Sequence, residues 1–385
     1  MGTQPHGDTL PPKSSAVASL VSFRLGGPDG VSVQAATWGR ALEHLGYSLR
    51  RVAGALADGP RPGDVVVPGL AVTADAAPGP AGQRPAAPEG PSPDELRAAL
   101  DGSSVVVVEN MLSLPLHLEA ARTLTAVLAD LPGGTRVLLH HHDFAWQRPE
   151  TAEITELPPR LPGAVHVTIN DFSRRELAER GIDAVTVRNA FDLEAAPGRR
   201  EETRQALGVG PDDVLVLQPT RAIARKNIPA ALRLAEELGP RLARPVRYWL
   251  PGPAEDGYAT TLAEVLATTT VPVLRTHPGA IGFGMEDAYA ACDLVVFPST
   301  GGEGFGQPVI ESVWADRPLA VLSYPALEEI LALGFSFLPA GDPDAVAGAL
   351  LHPDATTMAR NRDLAVAHFS MTALERSLEA LLRTR

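Results

Sequence analysis

The chain alternates between short apolar runs and amphipathic segments almost from end to end, and it does so in two successive sets. The runs "VVVVEN" (105–110), "RVLLHH" (136–141), "VHVTIN" (165–170), "DVLVLQPT" (213–220), "VRYWLPG" (246–252) and "DLVVFPS" (293–299) are continuous in hydrophobicity. Strands covered on both faces read that way. Helical patterns separate them: "QAATWGRALEHLG" (34–46), "PLHLEAARTLTAVLAD" (115–130), "DFSRRELAERG" (171–181), "NIPAALRLAEELG" (227–239) and "QPVIESVWA" (307–315). Several open on Asp or Asn and close on Gly, which are start and stop signals. This alternation predicts an α/β fold with parallel, doubly wound sheets.

The first set runs from about 18 to 190 and a fresh one begins at Val214, so two domains are expected in the 385 residues. The expected boundaries are a disordered tail over 1–16, a first domain over 17–193 and a second over 194–365. A last helix over 366–385 would pack back on the first domain. The polar stretch 192–213 reads as the link, and the Pro-, Ala- and Gly-rich stretch 68–93 as a surface loop. The two domains are expected to face each other across a cleft, with ligands beyond the carboxyl ends of the strands.

Composition excludes several classes. A net charge of −13 is wrong for a nucleic-acid binder, which needs a basic footprint. A single cysteine, Cys292, rules out a disulfide framework or thiolate metal cluster. No apolar run reaches the length of a membrane span, and the first residues lack a signal-peptide pattern, so a cytoplasmic location is expected. Of 33 basic residues only Lys13 and Lys226 are lysine, which marks Lys226 for attention.

Two loops of the second half carry chemistry. In "PTRAIARKN", Arg221 and Lys226 sit between a strand and a helix, and a guanidinium fork with an ammonium point charge suits a diphosphate. In "STGGEGFGQPVIES", Pro308 opens a helix, so the amides of Gly304, Phe305, Gly306 and Gln307 are expected to point at an anion. Glu303 and Glu311 beside a phosphate site make sense if they accept hydrogen bonds from sugar hydroxyls.

"EGFGQPVIE", with its glutamates eight apart, resembles the E-x7-E motif of retaining glycosyltransferases of family 4, which have the GT-B fold of two Rossmann-like domains. "TRAIARKN" resembles the Arg-x4-Lys loop of that family. The resemblance implies that Arg221 and Lys226 hold the donor diphosphate, that Glu303 contacts the hexose and that Glu311 binds the ribose. It places "RTHPG" (275–279) beside the nucleotide base. It also puts Gly27, in "RLGGPDG", and Asn189, in "RNAFD", among the donor-binding residues. The second segment has Ala190 where the family pattern has glycine.

Three consecutive histidines end the run "RVLLHHHD". On an extended segment His140 and His142 share a face. A metal would need a third ligand, and no regularly spaced partner is evident, so no metal is expected. His142–Asp143 resembles the family's strand-ending "HD", which implies that His142 works beside the transferred sugar. Asp143, Trp146 and Arg148 are candidates for the acceptor side.

The resemblance implies transfer of a hexosyl unit from a UDP- or GDP-hexose to an acceptor hydroxyl, with retention and without metal or other cofactor. Glu303, His142, Lys226 and Arg221 would carry it. The acceptor would be a small molecule, a natural product or a lipid-linked sugar. The rivals are an epimerase or phosphorylase on the same fold, a nucleotide-sugar binder without turnover, and a metal hydrolase centred on 140–143.

Overall fold

The computed structural model describes residues 16–27, 29–72, 89–148, 151–193, 198–255 and 257–383. The expected tail, apart from Ala16, and the middle of the 68–93 loop lie outside them. The chain forms two compact units: Met1–Ala190 together with Met371–Arg385, and Phe191–Ser370.

The first unit holds a seven-stranded sheet: β1 (Val17–Leu25), β2 (Ser48–Leu56), β3 (Val65–Val66), β4 (Ser103–Glu109), β5 (Arg136–His141), β6 (Val165–Thr168) and β7 (Ala184–Thr186). The order is β3-β2-β1-β4-β5-β6-β7 and every pairing is parallel. The continuous apolar runs have a direct cause. On β4, Val106 and Val108 enter one core with Val21, Leu124 and Leu139, whereas Val105 and Val107 enter another with Leu20, Trp38 and Leu138. A strand with a core on each face has no solvent side to make polar, and each such side chain contributes roughly 1.5–3 kcal/mol by burial.

Helix Gly30–His44 starts where the Asp29 carboxylate accepts the Ser32 amide, and it buries Ala35, Trp38, Ala41 and Leu42. Helix Met371–Arg383, the last of the chain, adds Leu374 and Leu378 to that same core. The backbone therefore enters the second unit at Phe191 and leaves it at Ser370, and these two residues form a parallel bridge.

The second unit has β8 (Val214–Leu217), β9 (Val246–Trp249), β10 (Val273–Leu274), β11 (Leu294–Phe297), β12 (Leu319–Val321) and β13 (Leu338–Pro339), in the order β10-β9-β8-β11-β12-β13. These pairings are also parallel. The polar stretch read as a link contains helix Arg200–Ala206, which belongs to this unit. Arg200 and Arg204 donate to carbonyls at Ala290, Ala291 and Cys292 and pair with Asp293. Part of its polarity thus serves fixed hydrogen bonds. Among the described residues no helix is long and apolar enough to cross a membrane.

Candidate active site

In each sheet the winding reverses at one place: between β1 and β4 in the first unit, and between β8 and β11 in the second. At such a switch the two following loops leave in opposite directions and open a crevice at the carboxyl edge. The loops singled out in the sequence follow β8 and β11.

After β8 the chain reaches a short turn, Ala224–Lys226, and Asn227 takes a left-handed φ of 52° before helix Ile228–Leu242. The turn is pinned from below, because Gln218 Nε2 donates to the Lys226 carbonyl at 2.7 Å and the Tyr248 hydroxyl donates to Gln218. It is pinned from the side by Thr300, whose amide donates to the Arg225 carbonyl at 2.9 Å. Lys226 is buried, with its ammonium 4.7 Å from the centre of the Phe297 ring. That ammonium and the Arg225 guanidinium both pair with Glu303 Oε2, to which Ser299 also donates at 3.2 Å. Burial pulls the Lys226 pKa down; Glu303 opposes, Arg225 and Arg221 add to the fall, and the balance is about 8.

Arg221 lies on the same loop but pairs with Glu255 at 2.6 Å and is half exposed. Arg225 was not read from the sequence as a site residue. Its signal was adjacency to the buried lysine; its partner Glu303 is 78 residues away.

After β11, Glu303 projects back to Lys226, while Phe305 turns inward against Phe191 and Phe369. Gly306 has φ +84°, and a Cβ there would lie 2.3 Å from the Tyr324 hydroxyl. The glycine is required by this close packing and by its backbone conformation. Helix Pro308–Trp314 follows, with Gln307 at its cap and Gly304 just ahead of it. Glu311 lies in its first turn and accepts from the Tyr289 hydroxyl at 2.5 Å. Burial pushes the Glu311 carboxyl pKa up, and the tyrosine hydrogen bond works against that. In the segment 275–279, Arg275 donates to the carbonyls of Leu250 and Gly252.

The first unit presents a second group at its own carboxyl edge. Gly26, after β1, has φ +76°, and a Cβ there would meet Asp58; Gly27 follows it, next to the Asp29 cap. β4 ends on Glu109, whose Cα partner on β5 is His140. His140 Nδ1 is 2.8 Å from Glu109 Oε2, and His142 Nε2 is 3.3 Å from the same oxygen. Asn110, with φ +56°, accepts the amides of His142 and Asp143 on its side-chain oxygen. Burial alone would push the Glu109 pKa up, but the charge and hydrogen bond of His140 and those of His142 outweigh it and leave it at about 2. Burial lowers the His140 pKa.

The third ligand that sequence spacing did not supply is therefore present: Glu109, His140 and His142 offer ligand atoms within 4.8 Å of one another, and could hold a metal ion. The signal was a charged residue closing "VVVVEN", at the same strand end as the histidine. His141 faces away, bonded to Ser113 Oγ at 2.5 Å and to His166 at 2.9 Å.

Asp143 and Arg148 pair at 3.4 Å and remain partly exposed. Trp146 stacks on Phe144 at 4.3 Å and carries Arg180 over its ring at 4.0 Å. It joins a small cluster with Leu177 and Ile182, so its faces pack within the protein. Asn189 is buried, and its Oδ1 has no hydrogen-bond partner among the described residues. Ala190 needs no glycine: its amide and carbonyl are both bonded to the Gln34 side chain, at 3.1 and 3.2 Å.

Two parallel doubly wound sheets with polar groups at both switch points define a class, and comparison with solved structures agrees. The Anabaena Alr3699/HepE structure in complex with UDP and glucose superposes with a TM-score of 0.68 at 16% identity, over 95% of this chain and 99% of that one. The fold is GT-B. Residues 220–352, which span both loops of the second unit, match the family described as Glycosyl transferases group 1. The chain thus has the GT-B fold, and its second unit carries a match to a glycosyl transferase domain. Among curated proteins it is 26% identical over 378 residues to the mannosylglucosylglycerate synthase of Petrotoga mobilis, covering 84% of this chain and 86% of that protein. It is 29% identical over 279 residues to the synthase of the same name from Thermotoga maritima, covering 64% of each.

Proposed function

We propose that the protein transfers a hexosyl unit from a UDP- or GDP-hexose to a hydroxyl of a small acceptor, with retention at the anomeric carbon and without a metal. The observation that carries this reading is the convergence of Arg225, Lys226 and Ser299 on Glu303 at the switch point of the second sheet. A buried lysine and a half-buried arginine held on one carboxylate are a site waiting for a stronger anion. A donor diphosphate would take over Lys226 and Arg225, with Arg221 on the same loop. Glu303, released from them, would then accept hydrogen bonds from the hexose.

Glu311 is the group for the ribose hydroxyls, held by Tyr289. The chemistry to be assisted is departure of the nucleoside diphosphate. The bond from the anomeric carbon to the phosphate oxygen breaks, the acceptor oxygen bonds to that carbon on the same face, and the acceptor proton passes to the departing phosphate oxygen. Fixed cations aimed at that oxygen stabilise the charge as it develops. They supply locally the positive charge that a divalent ion supplies elsewhere.

The likeness to two mannosylglucosylglycerate synthases suggests an acceptor of the glucosylglycerate type, a sugar bearing a carboxylate. His142 would work beside the sugar, and Arg148, weakly paired with Asp143, is a cation for such a carboxylate.

The test is thermal stabilisation by UDP, GDP, UDP-glucose and GDP-mannose with and without EDTA, followed by incubation with glucosylglycerate. One nucleotide sugar should raise the melting temperature equally in both conditions. The product should keep the donor's anomeric coupling by NMR. A protein that no nucleotide stabilises, or an inverted product, would refute the reading.

A further inference from the structure

A fully buried carboxylate at the end of β4 has no place in the donor chemistry proposed for the second unit. Glu109 is 0% exposed, as is His140. An ionised group so enclosed costs several kcal/mol of desolvation, which apolar packing at the same position would avoid. Its Oε1 has no hydrogen-bond partner among the described residues, a further penalty of about 1–3 kcal/mol. Stability does not explain this residue.

The hydrogen bonding does. A carboxylate oxygen only accepts, so each ring nitrogen facing Oε2 carries its hydrogen: Nδ1 of His140 and Nε2 of His142. Trp38 stacks on His140 at 4.1 Å and the two imidazoles lie 4.5 Å apart, so the carboxylate is fixed from behind. The backbone of His142 is fixed as well, through Asn110. With Nε2–H committed to Glu109, Nδ1 of His142 is a bare lone pair. It makes no hydrogen bond among the described residues, and His142 is the least buried member of the group at 6% exposure.

A metal ion on the same three side chains fits less well. The separation of 2.8 Å between His140 Nδ1 and Glu109 Oε2 is a hydrogen-bond length. Ligands on a tetrahedral zinc with bonds of about 2.0 Å stand about 3.3 Å apart, so the His140 contact is too short for a shared ion, while the 3.3 Å contact of His142 suits either.

We infer that Glu109 is a positioning residue: it holds His142 with Nε2 protonated, so that Nδ1 accepts a hydrogen bond from a hydroxyl of the sugar substrate. The inference rests on the proposed transferase reading, in which His142 works at the sugar. Glu109 touches no substrate and acts only through the imidazole.

The experiment compares wild type, E109Q, H142A and the double variant, with GDP-mannose or UDP-glucose as donor and glucosylglycerate as acceptor. A glutamine can turn its amide towards His142 and reverse the proton. E109Q should lower kcat about 10–100-fold, the range for a residue acting through another's orientation. KM for the donor should stay within about twofold and the melting temperature should not fall. In the H142A background E109Q should cost nothing more, since the group it orients is gone.

Losses that multiply in the double variant, or a wild-type kcat for E109Q, would overturn the role of Glu109 while leaving the transferase intact. Full activity of H142A would instead remove His142 from the reaction, and Glu109 with it. Should E109Q fail to fold, the ring nitrogen signals of His142 in wild-type protein decide. Hydrogen on Nε2 alone supports the assignment; hydrogen on Nδ1, or stoichiometric bound zinc, overturns it.

Discussion

Tyr289 and Glu311, on neighbouring helices of the second unit, share one hydrogen bond of 2.5 Å in which the phenol donates to the carboxylate. Burial drives the Glu311 carboxyl towards its protonated form, and this bond is the one influence that favours the anion. Removing it in Tyr289→Phe should raise the Glu311 pKa further. If the ionised carboxylate binds the ribose, nucleoside diphosphate affinity falls as pH drops through that pKa, and in the variant the fall begins at higher pH. At neutral pH the loss should be about tenfold, the value of a hydrogen bond to a charged group. Calorimetric titration with UDP and GDP across pH 5–8 reads both effects; superimposable curves would remove Glu311 from the ribose.

The opposite limb belongs to Lys226. Its pKa of about 8 lies below the lysine value of 10.5 because burial disfavours the ammonium, with Arg225 repelling it and Glu303 restraining the fall. The charged form binds a diphosphate, so affinity should be full below pH 8 and decline above it. Arg225→Ala removes a repulsion, so the alkaline limb should move up in pH even as affinity at pH 7 weakens. Lys226→Ala should abolish the limb and reduce kcat/KM by about 100-fold or more, as loss of a group stabilising developing charge does. A Lys226→Ala protein that keeps the same alkaline limb would show that another group titrates there.

The elements of both sheets were legible because burial on two faces writes itself into a strand as an unbroken apolar run, as in Val105–Val108. Lys226, Glu303 and Glu311 stood out because chemistry was concentrated on two short loops. Glu109 and Arg225 did not, since their meaning lies in partners 31 and 78 residues away. Only the parallel register of β4 on β5 sets Glu109 opposite His140, and a sequence does not state its register. The sequence pointed to the Phe305 amide and gave no sign of its ring, which packs on Phe191 and Phe369 beside the place where the chain enters and leaves the second unit.

Gly306 tests whether that loop is set by packing. An alanine there adopts a left-handed φ of +84° and places its Cβ 2.3 Å from the Tyr324 hydroxyl and 2.7 Å from the Phe297 ring. The backbone strain alone costs about 1–3 kcal/mol. Gly306→Ala should therefore lower the melting temperature by roughly 2–10 °C. Adding Tyr324→Phe removes the nearest clashing atom, at the expense of its hydrogen bond to the Phe305 carbonyl at 2.9 Å. The double variant should melt above Gly306→Ala by calorimetry. A double variant less stable than both singles would mean that the Tyr324 hydroxyl is not the obstacle.

Acid stability of the first unit should depend on Arg51. This buried guanidinium binds Asp58 at 2.7 Å, Asp64 at 2.6 Å and the Gly59 carbonyl at 2.9 Å, and ties β2 to the turn before β3. Burial would raise the Asp64 pKa, but the Arg51 side chain and the amides of Arg61 and Arg51 together bring it below the ordinary 3.8. A depressed carboxylate pKa stabilises the fold above the unfolded value, and that contribution is lost as pH falls through the folded value. Arg51→Met leaves Asp64 buried without its cation, which should cost about 3–5 kcal/mol at pH 7. The Asp64 pKa then rises, so the variant should begin losing stability at higher pH than wild type on acidification. Urea unfolding at pH 7, 5 and 4 measures both effects. A variant as stable as wild type at pH 7 would show that the two aspartates are hydrated well enough without the guanidinium.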